Sequence, residues 1–207
     1  MQISTFQRFL LATIALAIPA SAIGALYPEN TWLQVGPVAV LLPFAIMALR
    51  RWPISDAAAL CMGGFVLLHL FAARWSYSFV PYSEWLPTFN ARFGFERNMF
   101  DRVVHFLFGV LAILPFAEIS GRYGGLSLRS ALTGALMFVL AVGGLYEIFE
   151  WSLTLALAPQ DSGAYNGEQG DIFDSQKDMA IAALGALLAI IPTYRHLNQS
   201  VNDRSRR

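Results

Sequence analysis

Three long stretches of the chain carry no charged side chain: residues 9–27, 31–49 and 57–73, the last with His69 inside it. A helix rises about 1.5 Å per residue, so about 20 apolar residues cross a hydrocarbon core about 30 Å thick. Three more apolar runs have a few titratable groups set into them. The run over 100–119 carries Asp101, His105 and Glu118, the run over 128–157 carries Glu147 and Glu150, and the run over 174–193 opens with Asp174, Lys177 and Asp178. The pattern predicts an all-α polytopic transmembrane bundle with six membrane-spanning helices, at 9–27, 31–49, 55–73, 100–119, 128–157 and 174–193. These leave a single integral membrane domain over 1–207, with a cytoplasmic tail at 194–207. Two connections are long, 74–99 and 158–173, and the stretch over 75–85 has the Trp, Tyr and Phe content of an interfacial aromatic belt.

The first run needs a decision between helix and leader. Residues 9–18 followed by Ala20, Ser21 and Ala22 have the form of a secretory signal with a small-residue cleavage site. Its basic region holds only Arg8, however, and the apolar run continues past that point to Tyr27. A retained first helix is expected.

Composition agrees with a membrane protein. The chain is 56% hydrophobic and 14% charged, against about 45–50% and about 25% for soluble domains. Its mean hydropathy is +0.51. A formal net charge of zero gives nucleic acid no basic surface to meet. The single cysteine, Cys61, excludes an intrachain disulfide and a thiolate zinc site.

Charge then orients the bundle. With six spans, Arg8, Arg50, Arg51, Arg122, Arg129, Arg195, Arg204, Arg206 and Arg207 fall on one side, and Arg74, Arg92, Arg97, Arg102 and Lys177 on the other. The richer side holds both tails, which predicts cytoplasmic termini. Among the acids only Asp56, Glu118 and Asp203 share that side.

The remaining acids gather at one depth. Glu147 lies about 28 Å along the fifth span and His69 about 22 Å along the third, while Asp101 and His105 occupy the first two turns of the fourth. Spacings of four in Asp101/His105 and Asp174/Asp178, and of three in Glu147/Glu150, put each pair on one helical face. Acids near hydrocarbon are costly unless they face a polar interior, and clustered like charges need a cation or protons to neutralise them. Asp, Glu and His without thiolate form a donor set suited to zinc, manganese or non-haem iron. The expected ligands of such a divalent transition metal are His105, Glu147, Glu150, Asp171 and Asp174. Asp178 or His69 would act as catalytic base, and Asp101, Arg102 and Gln169 would support the ligands through hydrogen bonds. Glu118 points to another face and has Arg122 four residues on, so a structural ion pair is expected there. Gly143, Gly144 and Gly185 are expected to permit close helix contact.

Four ordered blocks carry a resemblance. Leu68-His69-Leu70 with the segment Trp75 to Pro81, then Arg97-Asn98-Met99-Phe100-Asp101-Arg102-Val103-Val104-His105-Phe106, then Tyr146-Glu147-Ile148-Phe149-Glu150-Trp151, then Gln169-Gly170-Asp171-Ile172-Phe173-Asp174-Ser175-Gln176-Lys177-Asp178-Met179 resemble the YjdF-like family of bacterial inner-membrane proteins. The resemblance implies a multi-pass protein of the bacterial inner membrane and brings no activity with it. Asp101-Arg102-x-x-His105-Phe106, and Asp178 ahead of Leu184-Gly185-Ala186, are also loosely similar to VanZ-like proteins, with Arg where those have Lys.

Three classes of function fit the pattern. One is a membrane-embedded, metal-dependent hydrolase acting at the outer face on a lipid-linked, envelope or small-molecule substrate. Another is a proton- or cation-coupled transporter, although no inverted repeat is visible and the cytoplasmic half offers only Asp56 and Glu118 for a path. The third is a non-catalytic binding or assembly factor with an acidic outer face.

Overall fold

The computed structural model describes residues 3–88, 92, 97–156 and 169–205. Parts of both long connections, at 89–91, 93–96 and 158–168, together with residues 1–2, Leu157 and the tail residues 206–207, lie outside the described residues. Six helices are long and apolar enough to cross a membrane: α1 Thr5–Ala22, α2 Pro28–Arg51, α3 Asp56–Ala73, α4 Phe100–Gly124, α5 Leu128–Ala156 and α6 Asp174–Ser205. A single helical turn, Tyr82–Trp85, sits in the connection between α3 and α4.

Local chemistry sets the ends. Ser4 and Gln7 form a reciprocal capping box that starts α1 four residues before its charge-free stretch. The helix stops at Ala22 rather than continuing to 27, because the chain passes through Gly24 in a left-handed conformation, φ +66°. Pro28 opens α2, and Arg50 and Arg51 close it against the helix dipole. Gly125, also left-handed at φ +65°, ends α4. α6 runs 32 residues to Ser205, well beyond the expected end at 193. The fall in hydropathy there marks where the hydrocarbon stops, but 194–205 contains neither glycine nor proline to stop the helix.

The helices pack as two groups of three. α1, α2 and α3 touch one another, as do α4, α5 and α6, and α3 against α4 joins the groups. Two buried apolar clusters follow this division, one centred on Val35, Ala58 and Leu70, the other on Ile113, Ala131, Val139 and Ala186. Large side chains such as Phe9, Leu16, Leu145 and Leu155 are exposed and form a surface suited to lipid.

α4 and α6 meet backbone to backbone. A Cβ on Gly109 would fall onto the carbonyl oxygen of Ala182, and one on Gly185 onto that of Phe106. Of the glycines expected to permit close contact, Gly185 does so and Gly144 only approaches Met179 Sδ at 3.7 Å. Gly143 has nothing within 4 Å of a built Cβ, so that expectation is corrected: the approach is made by Gly109.

Polar ties fasten both ends of the bundle. At one end Gln7 Nε2 donates to the Ile54 carbonyl (3.0 Å), and Arg122 and Tyr123 both donate to the Pro53 carbonyl at 2.6 Å. Glu118 accepts from the Ser55 N–H and hydroxyl and pairs with Arg122 at 2.9 Å, the structural role expected of it. At the other end Thr31 donates to the Ala73 carbonyl (3.1 Å), and Arg74 reaches the carbonyls that end α1. This second end is also where α4 and α6 begin and α5 ends.

Candidate functional site

The first turns of α4 and α6 and the last turns of α5 bring their titratable side chains together. Asp101 and His105, one turn apart on α4, stand 3.6 Å apart at Oδ1 and Nε2. Asp178, one turn into α6, completes a set of three whose ligand-type atoms all lie within 4.8 Å of one another. From α5, Glu147 Oε1 approaches His105 Nε2 at 3.8 Å. Asp178 is only 2% exposed and Glu147 7%. One oxygen of each, Asp178 Oδ1 and Glu147 Oε1, is buried without a hydrogen-bond partner among the described residues. Most buried side-chain oxygens have a hydrogen-bond partner, so Glu147 Oε1 beside the His105 ring and Asp178 Oδ1 beside Arg102 Nε each leave capacity for a cation or a proton.

A layer of cations caps the acids. Arg97 makes a two-pronged contact with Asp174, and Arg102 Nη2 reaches Asp174 at 3.1 Å and Asp171 at 2.6 Å. The Nε of Arg102 lies 3.8 Å from Asp178 Oδ1, so one guanidinium touches both layers. Lys177, the most exposed of the three, holds both oxygens of Asp171 at 2.6 and 2.8 Å. Lys177 foremost, with Arg102 and the Phe173 N–H, keeps the Asp171 carboxyl well below the usual carboxylate range.

The expected site residues therefore divide. His105 and Glu147 face the acid cluster, where Asp101 and Asp178 join them. Asp171 and Asp174 lie in the cation layer, their oxygens held by guanidinium and ammonium groups. Glu150, half-buried one turn beyond Glu147, is within electrostatic reach of Asp101, Glu147 and Asp178, and its side chain bonds Tyr146. Gln169 clasps Asn98, accepting from its N–H (2.8 Å) and donating to its carbonyl (3.1 Å), which ties the connection before α4 to the one before α6. His69 belongs to a different neighbourhood: its Nε2 meets the Gln34 carbonyl at 3.0 Å and its Nδ1 the Tyr77 hydroxyl.

Two neighbours escaped the sequence reading. Ser175 lies within hydrogen-bonding reach of Glu147, and the Tyr146 ring stands edge-on to His105 with centroids 6.1 Å apart. Ser175 follows Asp174 inside the charged turn of α6 and Tyr146 precedes Glu147, so adjacency to the motifs was the available signal.

Comparison with known proteins covers most of the chain. A family model described as "Predicted membrane protein (DUF2238)" matches residues 6–199. The chain belongs to this family. Among curated proteins, the DUF2238 chain is 30% identical over 187 residues to the inner membrane protein YjdF of Escherichia coli (strain K12), covering 86% of this chain and 84% of that one. No solved structure matches it. Every residue of the acid cluster and of the cation layer falls inside the span matched to DUF2238.

Proposed function

We propose that this inner-membrane protein holds a divalent transition metal ion, zinc, manganese or iron, between Asp101, His105 and Asp178, with Glu147 as a fourth donor, and that it is a membrane-embedded hydrolase of a lipid-linked or envelope substrate. The observation that carries the reading is the convergence of Asp101, His105 and Asp178, with ligand-type atoms within 4.8 Å of one another, joined by a buried Glu147 oxygen that has no hydrogen-bond partner among the described residues and lies 3.8 Å from His105 Nε2. Carboxylate and imidazole without thiolate is the donor chemistry these metals take. Tetrahedral ligands at about 2.1 Å stand about 3.4 Å apart. The 4.8 Å spread of the three side chains therefore needs a contraction of up to about 1.4 Å, within the range of side-chain rotation.

A bound divalent ion supplies Lewis acidity at that point. The chain supplies the rest. Asp101 and Glu147 both approach His105 at Nε2, which makes that nitrogen the one that would face the ion. Glu150, one turn along α5, is positioned to take up a proton from the cluster. Asp174 keeps the two guanidiniums over the site. Asp171 and Asp174 are thus assigned to the cation layer, and His69 to the packing of α2 on α3.

Nine basic residues on the side of both tails against five on the other support cytoplasmic termini. The site would then open on the outer face. A Cys61→Ala, Asn166→Cys variant should react with an impermeant thiol reagent applied from outside; failure to react where the folded protein is present refutes that orientation.

Elemental analysis of the purified chain tests the metal. About one transition metal ion per chain is expected, with a melting temperature lowered by chelation, and both effects lost in Asp178→Asn. A protein isolated metal-free and indifferent to added zinc, manganese and iron refutes the proposal.

A further inference from the structure

Five donor contacts from α4, α6 and the two connections before them converge on the carboxylate of Asp171. Arg102 Nη2 stands 2.6 Å away, Lys177 Nζ makes contacts of 2.6 and 2.8 Å, the Phe173 N–H donates at 3.2 Å, and Arg97 Nη1 lies at 3.6 Å. Asp171 is a connection residue ahead of α6, its side chain 17% exposed. Gln169 and Gly170 just before it are both in left-handed conformations, φ +48° and +83°. The two guanidiniums do not depend on it for their placement: Asp174 holds Arg97 with two contacts and Arg102 with one, and Asp178 lies beside Arg102 Nε. Two guanidiniums, an ammonium and a backbone N–H at a helix start are the donor set by which proteins bind phosphate.

We propose that Asp171 occupies the seat of a phosphate group, and that the ligand of this end of the bundle is a phosphate ester, with Asp171 as its internal competitor. Arg102 spans the seat and the acid cluster, so a phosphate in place of Asp171 lies one guanidinium away from Asp178. As a statement about substrate this rests on the divalent-cation reading; the seat itself does not. Once Asp171 turns out to solvent, Arg97, Arg102 and Lys177 face Asp174 in their own layer and the acids Asp101, Asp178 and Glu147 behind it. A divalent ion offsets those acids, so phosphate and cation should each strengthen binding of the other.

The test uses the full chain in a phosphate-free maltoside detergent with manganese, titrated with inorganic phosphate, dioctanoyl phosphatidic acid or dioctanoylglycerol and read by thermal stability. A tethered competitor acts at millimolar effective concentration, so Asp171→Asn should bind phosphate or phosphatidic acid about tenfold more tightly than wild type. Lys177→Gln, a change at an exposed side chain, should weaken binding at least fivefold while the unliganded protein still folds and melts cooperatively. A response to phosphatidic acid alone assigns the seat to a lipid headgroup, and a response to both assigns it to the phosphate itself; either supports the proposal. An equal response to dioctanoylglycerol overturns it, as does an Asp171→Asn protein that melts normally yet binds no more tightly. Should Asp171→Asn fail to fold, unchanged binding by Lys177→Gln overturns it. Metal binding without phosphate binding sinks this proposal and leaves the cation reading standing. Phosphate binding to a protein that takes up no metal does the reverse.

Discussion

Gly109→Ala is the sharpest test of how the fold builds the site. The added Cβ would stand 2.8 Å from Ala186 N and 2.9 Å from the Ala182 carbonyl carbon, and closer still to the Ala182 carbonyl oxygen. All of these are backbone atoms of α6, which cannot swing aside as a side-chain tip would. Restoring ordinary contact requires α6 to move away from α4 by about 1 Å, and overpacking of this kind costs about 1–3 kcal/mol. The same displacement separates Asp178 on α6 from Asp101 and His105 on α4. A metal site loosened by about 1 Å loses function even when every ligand is present, so manganese or zinc affinity should fall about tenfold, which is about 1.4 kcal/mol. Gly143→Ala is the matched control: it adds the same methyl to α5 with nothing within 4 Å, and helix propensity favours alanine by up to about 1 kcal/mol. Thermal melting in detergent and competitive metal titration would be run on both. A Gly109→Ala protein as stable and as metal-competent as Gly143→Ala refutes the claim that α4–α6 backbone contact sets the geometry.

Other expectations follow from neighbouring features. Asp171 has a depressed folded pKa, so it is ionised in both folded and unfolded states above about pH 5; its contribution is constant there and declines only as pH falls below the unfolded value. The melting difference between wild type and Asp171→Asn should therefore be flat from about pH 5 to 8, and a gap that changes within that window contradicts the assignment. Tyr77→Phe removes the hydroxyl on His69 Nδ1 and should lower the melting temperature with metal content unchanged; lost metal would show that His69 belongs to the site. Glu118→Ala strands Arg122 and the Ser55 donors and should cost about 3 kcal/mol by chemical or thermal denaturation; a change under about 0.5 kcal/mol, the size typical of a surface substitution, would rule that out.

What was legible in the residues, and what was not, divides along a geometric line. A run of apolar residues reports where a helix lies along the membrane normal, so the six spans and the shared depth of Asp101, Glu147 and Asp178 could be read directly. Spacings of three and four report which residues share a face of their own helix, which is why Asp101 with His105 was readable as a pair. Neither reports how a helix is turned toward its neighbours. His69 has a depth close to that of the acid cluster, but α3 points it at Gln34 and Tyr77. Asp174 and Asp178 share a face of α6, yet the first meets guanidiniums and the second lies among carboxylates and an imidazole. One turn of axial offset along α6 decides which layer each belongs to, and where that turn meets α4 depends on packing the spacing does not report. The end of α1 at Ala22 and the continuation of α6 past 193 were missed for a related reason: hydropathy marks the boundary of lipid, whereas caps and left-handed residues mark the boundary of a helix.

The division into two groups of three helices bears on how the protein is made. Each group packs among neighbours close in sequence, and α3 against α4 is the main helix contact between them. Helices α1 to α3 can therefore assemble in the bilayer while the rest of the chain is still being synthesised. Their joint to the second group is closed at one end by Glu118, which reaches Ser55 only when α4 has crossed fully. The N–H and hydroxyl of Ser55, the residue that caps α3, thus wait for a carboxylate delivered about sixty residues later, and Glu118 acts as a latch that registers the arrival of the half carrying the acid cluster.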